Sequence, residues 1–203
     1  DTLLANIEGE LITEPRVLRF RTGQRVKHWN RNCVALGLAA GFLEPLESTS
    51  IHLIQRGVIR LLQMFPYSGI VESDQAEFNR QMDSEFRFIR DFIIMHYHVT
   101  ERTDSEFWRR CRDMDIPDSL KHRLDLFRDT GRVFDAVGDI FQENSWIQVM
   151  LGQGIEPKSY HPIVDMMGDQ ELRQFMQIQA QKVDAVLSQL PTHQEFINRY
   201  CPA

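Results

Sequence analysis

Cysteine is scarce, a basic excess is missing and no apolar run is long, and each shortage removes a class of function. The 203 residues include 3 cysteines, Cys33, Cys111 and Cys201. They are odd in number, far apart and in no metal-ligand spacing, so they read as reduced thiols of a cytoplasmic protein with no metal site. Lys and Arg total 23 against 29 Asp and Glu, a net charge of −6. Without a basic field to attract a phosphate backbone, nucleic acid is not an expected partner. The longest apolar stretch, residues 34–43, is too short and too rich in Gly and Ala to span a bilayer, and no signal pattern precedes it. A dinucleotide fingerprint is missing too: Gly152-Gln153-Gly154 meets Pro157 where its last glycine would fall. Internal repeats and low-complexity segments are also wanting.

What remains is an ordinary globular composition, 42% hydrophobic and 26% charged, enough for one large domain. The chain opens on Asp1 and runs into β-forming sequence over residues 12–20, then a second such stretch over residues 29–38. Strands this few need sheet partners. Residues 1–47 therefore read as a β-rich segment completing a sheet whose other strands lie outside this chain, with a small self-contained sheet as the alternative. Residues 48–203 read as a helical domain. Ile51, Ile54, Val58, Leu61, Leu62 and Phe65 follow the helical period up to Pro66. Asp74 with Glu77 has capping-box spacing and opens a face of Phe78, Met82, Phe86, Ile89, Ile93 and His96. Pro117 and Gly131 bracket a helix striped by Leu120, Leu124 and Phe127. Asp169 begins a helix with Leu172, Met176, Val183, Val186 and Leu190 inward, and Thr192 with Glu195 caps a terminal one. The fold class is mainly α with a short β lead-in.

Chemistry concentrates in residues 32–51, N-C-V-A-L-G-L-A-A-G-F-L-E-P-L-E-S-T-S-I. The small residues Gly37, Ala39, Ala40 and Gly41 permit close approach of backbone or of a planar ligand. Glu44 and Glu47 flank Pro45, and Ser48-Thr49-Ser50 leads into a helix whose free N–H groups suit a small anion near Thr49 and Ser50. On spacing alone, Glu47 is either a catalytic carboxylate or an anion that stabilises the helix start. His96-Tyr97-His98 lacks a third ligand at metal spacing and reads as structural.

The stretch Glu44 to Ile51, E-P-L-E-S-T-S-I, resembles the flavin-dependent halogenases of the tryptophan halogenase family, whose members carry E-P-L-E-S-T-G-I. R-V-L-R-F-R-T-G at Arg16 to Gly23, Trp29, Asn32-Cys33, Phe92 to Tyr97, Phe107-Trp108 and Leu190-Pro191-Thr192 extend the resemblance along the chain. It implies halogenation of an indole-type or other electron-rich aromatic substrate by reduced FAD, O2 and a halide ion, the reduced FAD coming from a separate flavin reductase. It assigns Glu47 to catalysis, Thr49 and Ser50 to the halide, Leu38 and Ile51 to the flavin, and Trp146 and Phe141 to the substrate. The alternative reading of Trp146 is a buried core tryptophan. Ser50 stands where the family has glycine. The W-x-W-x-I-P signature and the catalytic lysine have no counterpart here, so the expectation is a C-terminal part that joins a missing N-terminal flavin-binding portion and is inactive alone. A homodimer is compatible with this. The alternative is a non-catalytic helical protein-interaction domain of the same ancestry. Where tryptophan-specific members hold a tyrosine pair and a glutamate, this chain has Phe134-Asp135 and Phe141, which favours an indole without the amino-acid group.

Overall fold

In the computed structural model, residues 2–201 are described, and they divide into two compact units. Among these residues the first comprises 2–123 and 133–155; the second comprises 124–132 and 156–201. After a short helix α1 (Thr2–Ala5), residues 12–20 carry no regular structure, contrary to the strand expected from their β-formers. Their side chains are exposed, Ile12 at 99% and Val17 at 85%. β-propensity reports fit to a half-buried pleated surface, and these residues have none within the chain.

The β segment consists of two antiparallel pairs. β1 (Gly23–Gln24) pairs with β4 (Gly41–Phe42), and β2 (Trp29–Asn30) with β3 (Cys33–Val34) through a tight Arg31-Asn32 turn. Gly41 is required by that first pairing, since a Cβ there would sit 2.7 Å from the Gly23 carbonyl oxygen. Two short 3₁₀ turns, Gly37–Ala39 and Pro45–Glu47, connect this region to α2 (Ser50–Gln63).

The long helix α3 (Glu72–His98) organises the first unit. Phe78, Met82, Phe86, Ile89 and Ile93 are buried as their spacing predicts, and Trp29 packs edge-on to Phe78 at 5.6 Å. The helix begins two residues before Asp74, on an uncapped Val71; Asp74 instead sits in the first turn, where its charge favours the macrodipole.

Helix α2 was legible as a helix, but its buried face was not. Leu53, Gly57 and Arg60 are buried, whereas Ile51, Ile54, Val58 and Leu62 are exposed. Gly57 decides this, because a Cβ there would lie 2.5 Å from Leu36 Cδ2. Beside it, the Arg60 guanidinium donates to both carboxylate oxygens of buried Glu85, and Arg56 adds a third bond at 3.0 Å. Burial alone would push the Glu85 carboxyl up, but the hydrogen bonds from Arg60 and Arg56 hold it below the ordinary value. A carboxyl depressed in the folded state contributes stability above its unfolded pKa and loses it as pH falls through the folded one. Acidification should therefore lower the thermal midpoint, and Glu85→Gln should flatten that dependence while lowering the midpoint at neutral pH. An unchanged acid slope in the variant would remove Glu85 from the account.

Helices α4 (Glu106–Asp113), α5 (Asp118–Thr130) and α6 (Glu143–Gly152) follow. Gly131, at φ +67°, ends α5 in the left-handed conformation that glycine alone adopts freely. In the second unit, Lys158 pairs with Asp129 at 2.8 Å and Ser159 donates to the Asp129 carbonyl at 2.7 Å. That unit continues through a 3₁₀ turn (Pro162–Met166), α7 (Asp169–Leu187) and α8 (His193–Tyr200). The expected box at α8 is present: Glu195 N–H donates to Thr192 Oγ1 at 3.3 Å while its carboxylate accepts from Thr192 N–H at 2.8 Å. The stripe expected to face inward on α7, with Leu172, Met176, Val183 and Val186, is exposed.

Candidate functional site

The residues singled out in sequence lie in the first unit. Pro45 nucleates the 3₁₀ turn in the usual first-turn position, and the preceding Glu44 accepts from Leu46 N–H at 3.1 Å. Ser48 follows in the left-handed region (φ 53°, ψ 33°). A non-glycine residue there carries strain of about 1–3 kcal/mol, which native folds retain chiefly at functional sites. This one residue joins the 3₁₀ turn to α2, whose cap is the buried Thr49. Leu53 N–H donates to the Thr49 carbonyl at 2.9 Å, so the amides of the first turn precede any intrahelical acceptor. Ser50 is the first helical residue, and positive φ among described non-glycine residues occurs at Arg31 and Ser48. The serine in place of the family glycine therefore costs no backbone strain.

The two carboxylates flanking Pro45 grip the C-terminal end of α3 at consecutive residues. Glu47 Oε1 lies 3.0 Å from His96 Nε2. Glu44 is hydrogen-bonded to Tyr97, whose phenol is pushed up first by burial and then by the Glu44 charge. The other ring nitrogen of His96, Nδ1, is 2.8 Å from the Phe92 carbonyl oxygen.

An aromatic wall continues from His96. Phe92 meets the His96 ring edge-on at 4.8 Å, stacks on Phe141 at 3.8 Å and meets Trp146 edge-on at 4.8 Å. Trp146 is 1% exposed and donates from Nε1 to the Phe141 carbonyl at 3.1 Å. The Arg123 guanidinium lies 3.9 Å over its ring, held by Asp139 at 2.9 Å. Phe141 is the half-buried member of this set. Phe134 is exposed, and Asp135 accepts from Glu143 N–H at 2.8 Å, so its carboxylate is engaged at the start of α6. Leu38 and Ile51 are exposed at 79% and 78%.

Sequence reasoning brought Glu47, Thr49 and Ser50 together because they are adjacent in the chain. It missed His96, Phe92, Arg123 and Asp139 as members of the surroundings. His96 had one signal, its place one turn beyond Ile93 on the apolar face of α3. No group of three or more His, Cys, Asp or Glu side chains gathers into a metal site among the described residues.

Comparison with known proteins shows the family. A family model described as tryptophan halogenase matches residues 1–169. The structure of Xcc4156, a flavin-dependent halogenase from Xanthomonas campestris, superposes with a TM-score of 0.94 at 58% identity, covering 100% of this chain and 41% of that one. BrvH, a flavin-dependent halogenase from Brevundimonas sp. BAL3, superposes with a TM-score of 0.89 at 37% identity over 96% of this chain and 40% of that one. Tryptophan 6-halogenase ThaL of Streptomyces albogriseolus is 37% identical over 116 residues, 57% of this chain and 22% of that protein. The chain thus spans about two fifths of those solved structures and about a fifth of that curated relative. Its match to the family model over most of its length shows that this chain belongs to the tryptophan halogenase family.

Proposed function

We propose that this chain is the C-terminal part of a flavin-dependent halogenase acting on an indole-type or other electron-rich arene. The observation that carries the reading is the placement of Glu47. In this chain the acidic side chain stands against His96 on α3, one strained residue away from the opening amides of α2. The apolar side chains of Leu38 and Ile51, left uncovered on the same unit, fit the edge of a planar ring and would hold the flavin there. The bound flavin would supply the electrons that activate O2 toward halide, and a separate reductase would reduce it. The first-turn amides at Thr49 and Ser50 would hold the halide, favoured by the helix dipole. Glu47 would orient the halogenating species and take up the proton that leaves the arene carbon. Residues 1–47 would complete a sheet with strands supplied by the remainder of the enzyme, in keeping with the exposed apolar side chains at Val17, Leu18 and Phe20. Three free thiols suit a cytoplasmic setting.

The substrate would lie against the half-buried Phe141, with Phe92 and Trp146 behind it. Phe141 brings no carboxylate for a substrate ammonium, and Asp135 is committed to the Glu143 amide. An ammonium lacking its charge-assisted partner forfeits about 1.5–3 kcal/mol, or roughly 10- to 100-fold in kcat/KM. The intact enzyme, assayed with reduced flavin, halide and O2, should therefore prefer indole to free tryptophan by that order. A higher kcat/KM for tryptophan would overturn the substrate reading. Absence of halogenation with any arene tried would overturn the enzymatic one.

A further inference from the structure

We infer that His96 is the positioning residue for Glu47, holding its carboxylate through one proton that the two side chains share. The inference rests on the proposed catalytic role of Glu47. It follows from the donor and acceptor inventory around one ring. A backbone carbonyl only accepts, so the 2.8 Å contact of Nδ1 with the Phe92 oxygen places a hydrogen on Nδ1. A neutral His96 then has a bare lone pair on Nε2, aimed at a Glu47 oxygen 3.0 Å away. Two lone pairs do not bond. The contact needs a proton between them, either on Glu47 as a neutral acid donating to Nε2 or on Nε2 as an imidazolium donating to the carboxylate.

The backbone makes this partner rigid. Phe92 and His96 are one helical turn apart on α3, and the Phe92 ring packs edge-on against the imidazole. The His96 side chain is 17% exposed and that of Glu47 30%, so solvent reaches the pair. The other charged or titratable groups around it are Glu44 from the Pro45 turn, held by Tyr97, Cys111 from α4 beside Tyr97, and Glu101 and Arg102, which line an open cleft of about 720 Å³ with His96. Glu47 Oε1, at 3.0 Å, is within hydrogen-bond distance of His96 Nε2. A carboxyl fixed through a shared proton is delivered to the reacting atoms in one orientation and keeps a place to which a proton can pass.

The test uses the intact enzyme. His96→Ala should lower kcat on the order of 10²-fold, as a misplaced catalytic group does, with KM for the arene little changed. His96→Gln, whose side-chain amide can donate to the Glu47 carboxylate, should recover most of it. In the double variant with Glu47→Gln, His96→Ala should add almost nothing, because its effect passes through Glu47. Independently of activity, imidazole ¹⁵N spectra should show hydrogen on Nδ1 of His96 and an Nε2 signal that Glu47→Gln displaces, while exposed His161 and His193 stay put. Full multiplication of the two losses, or an Nε2 signal indifferent to Glu47→Gln, would overturn the inference. If Glu47→Gln alone leaves turnover intact, the catalytic reading fails instead, and the spectra still decide whether the shared proton exists.

Discussion

Glu47→Gln in the intact enzyme should cut halogenation by about 10²–10⁴-fold, the scale expected when a positioned acid–base group is lost, while the thermal midpoint stays nearly unchanged. The substitution is close to isosteric, and its amide can donate to the Nε2 lone pair of a neutral His96 whose Nδ1 hydrogen remains on the Phe92 carbonyl. The local contact therefore survives and the proton-accepting function does not. The structure also bears on the competing role of Glu47 as a stabiliser of α2. Its carboxylate lies against α3 through His96, and the N-cap position of α2 is Thr49, whose side chain makes no capping hydrogen bond. A stabilising role would show as a lower midpoint with unimpaired turnover. That pattern, measured by thermal melts beside steady-state halide-dependent product formation, would strip Glu47 of its catalytic assignment.

How far the sequence could be read depended on whether a feature is local. Thr192 and Glu195 are three residues apart, so their reciprocal cap follows from spacing and is present. Gly131 needed only the end of one helix to explain it. The face of α3 was legible because five bulky apolar residues repeat along it without interruption. On α2 the same rule found the helix and missed its orientation. There the buried side is set by a glycine that lets Leu36 approach and by an arginine neutralised by Glu85. Neither looks like a core residue in isolation. The Glu47–His96 contact joins the Pro45 turn to the far end of α3, and no periodicity links them. Glu47 was found through resemblance to the halogenases, and its partner emerged from the fold.

The largest loss of stability should come from Trp146→Ala, which should cost about 3–5 kcal/mol. For a chain of this size that is a fall in thermal midpoint on the order of 10 °C. Trp146 is 1% exposed, and three kinds of contact would go together. The cavity would remove the surface against which the Phe92 edge packs at 4.8 Å. The Phe141 carbonyl would lose its indole donor. Arg123, pinned by Asp139, would be left over a void where a ring now lies 3.9 Å below its charge, an attraction worth about 0.5–2 kcal/mol. Trp146→Phe separates packing from recognition, because it keeps an aromatic face and gives up the indole N–H. It should retain most of the stability, and, with Phe141 between the ring and the substrate, it should leave KM for indole close to that of the parent. A large rise in KM with an unmoved midpoint would show instead that the substrate reaches the Trp146 face directly, which would require Arg123 to swing aside on binding.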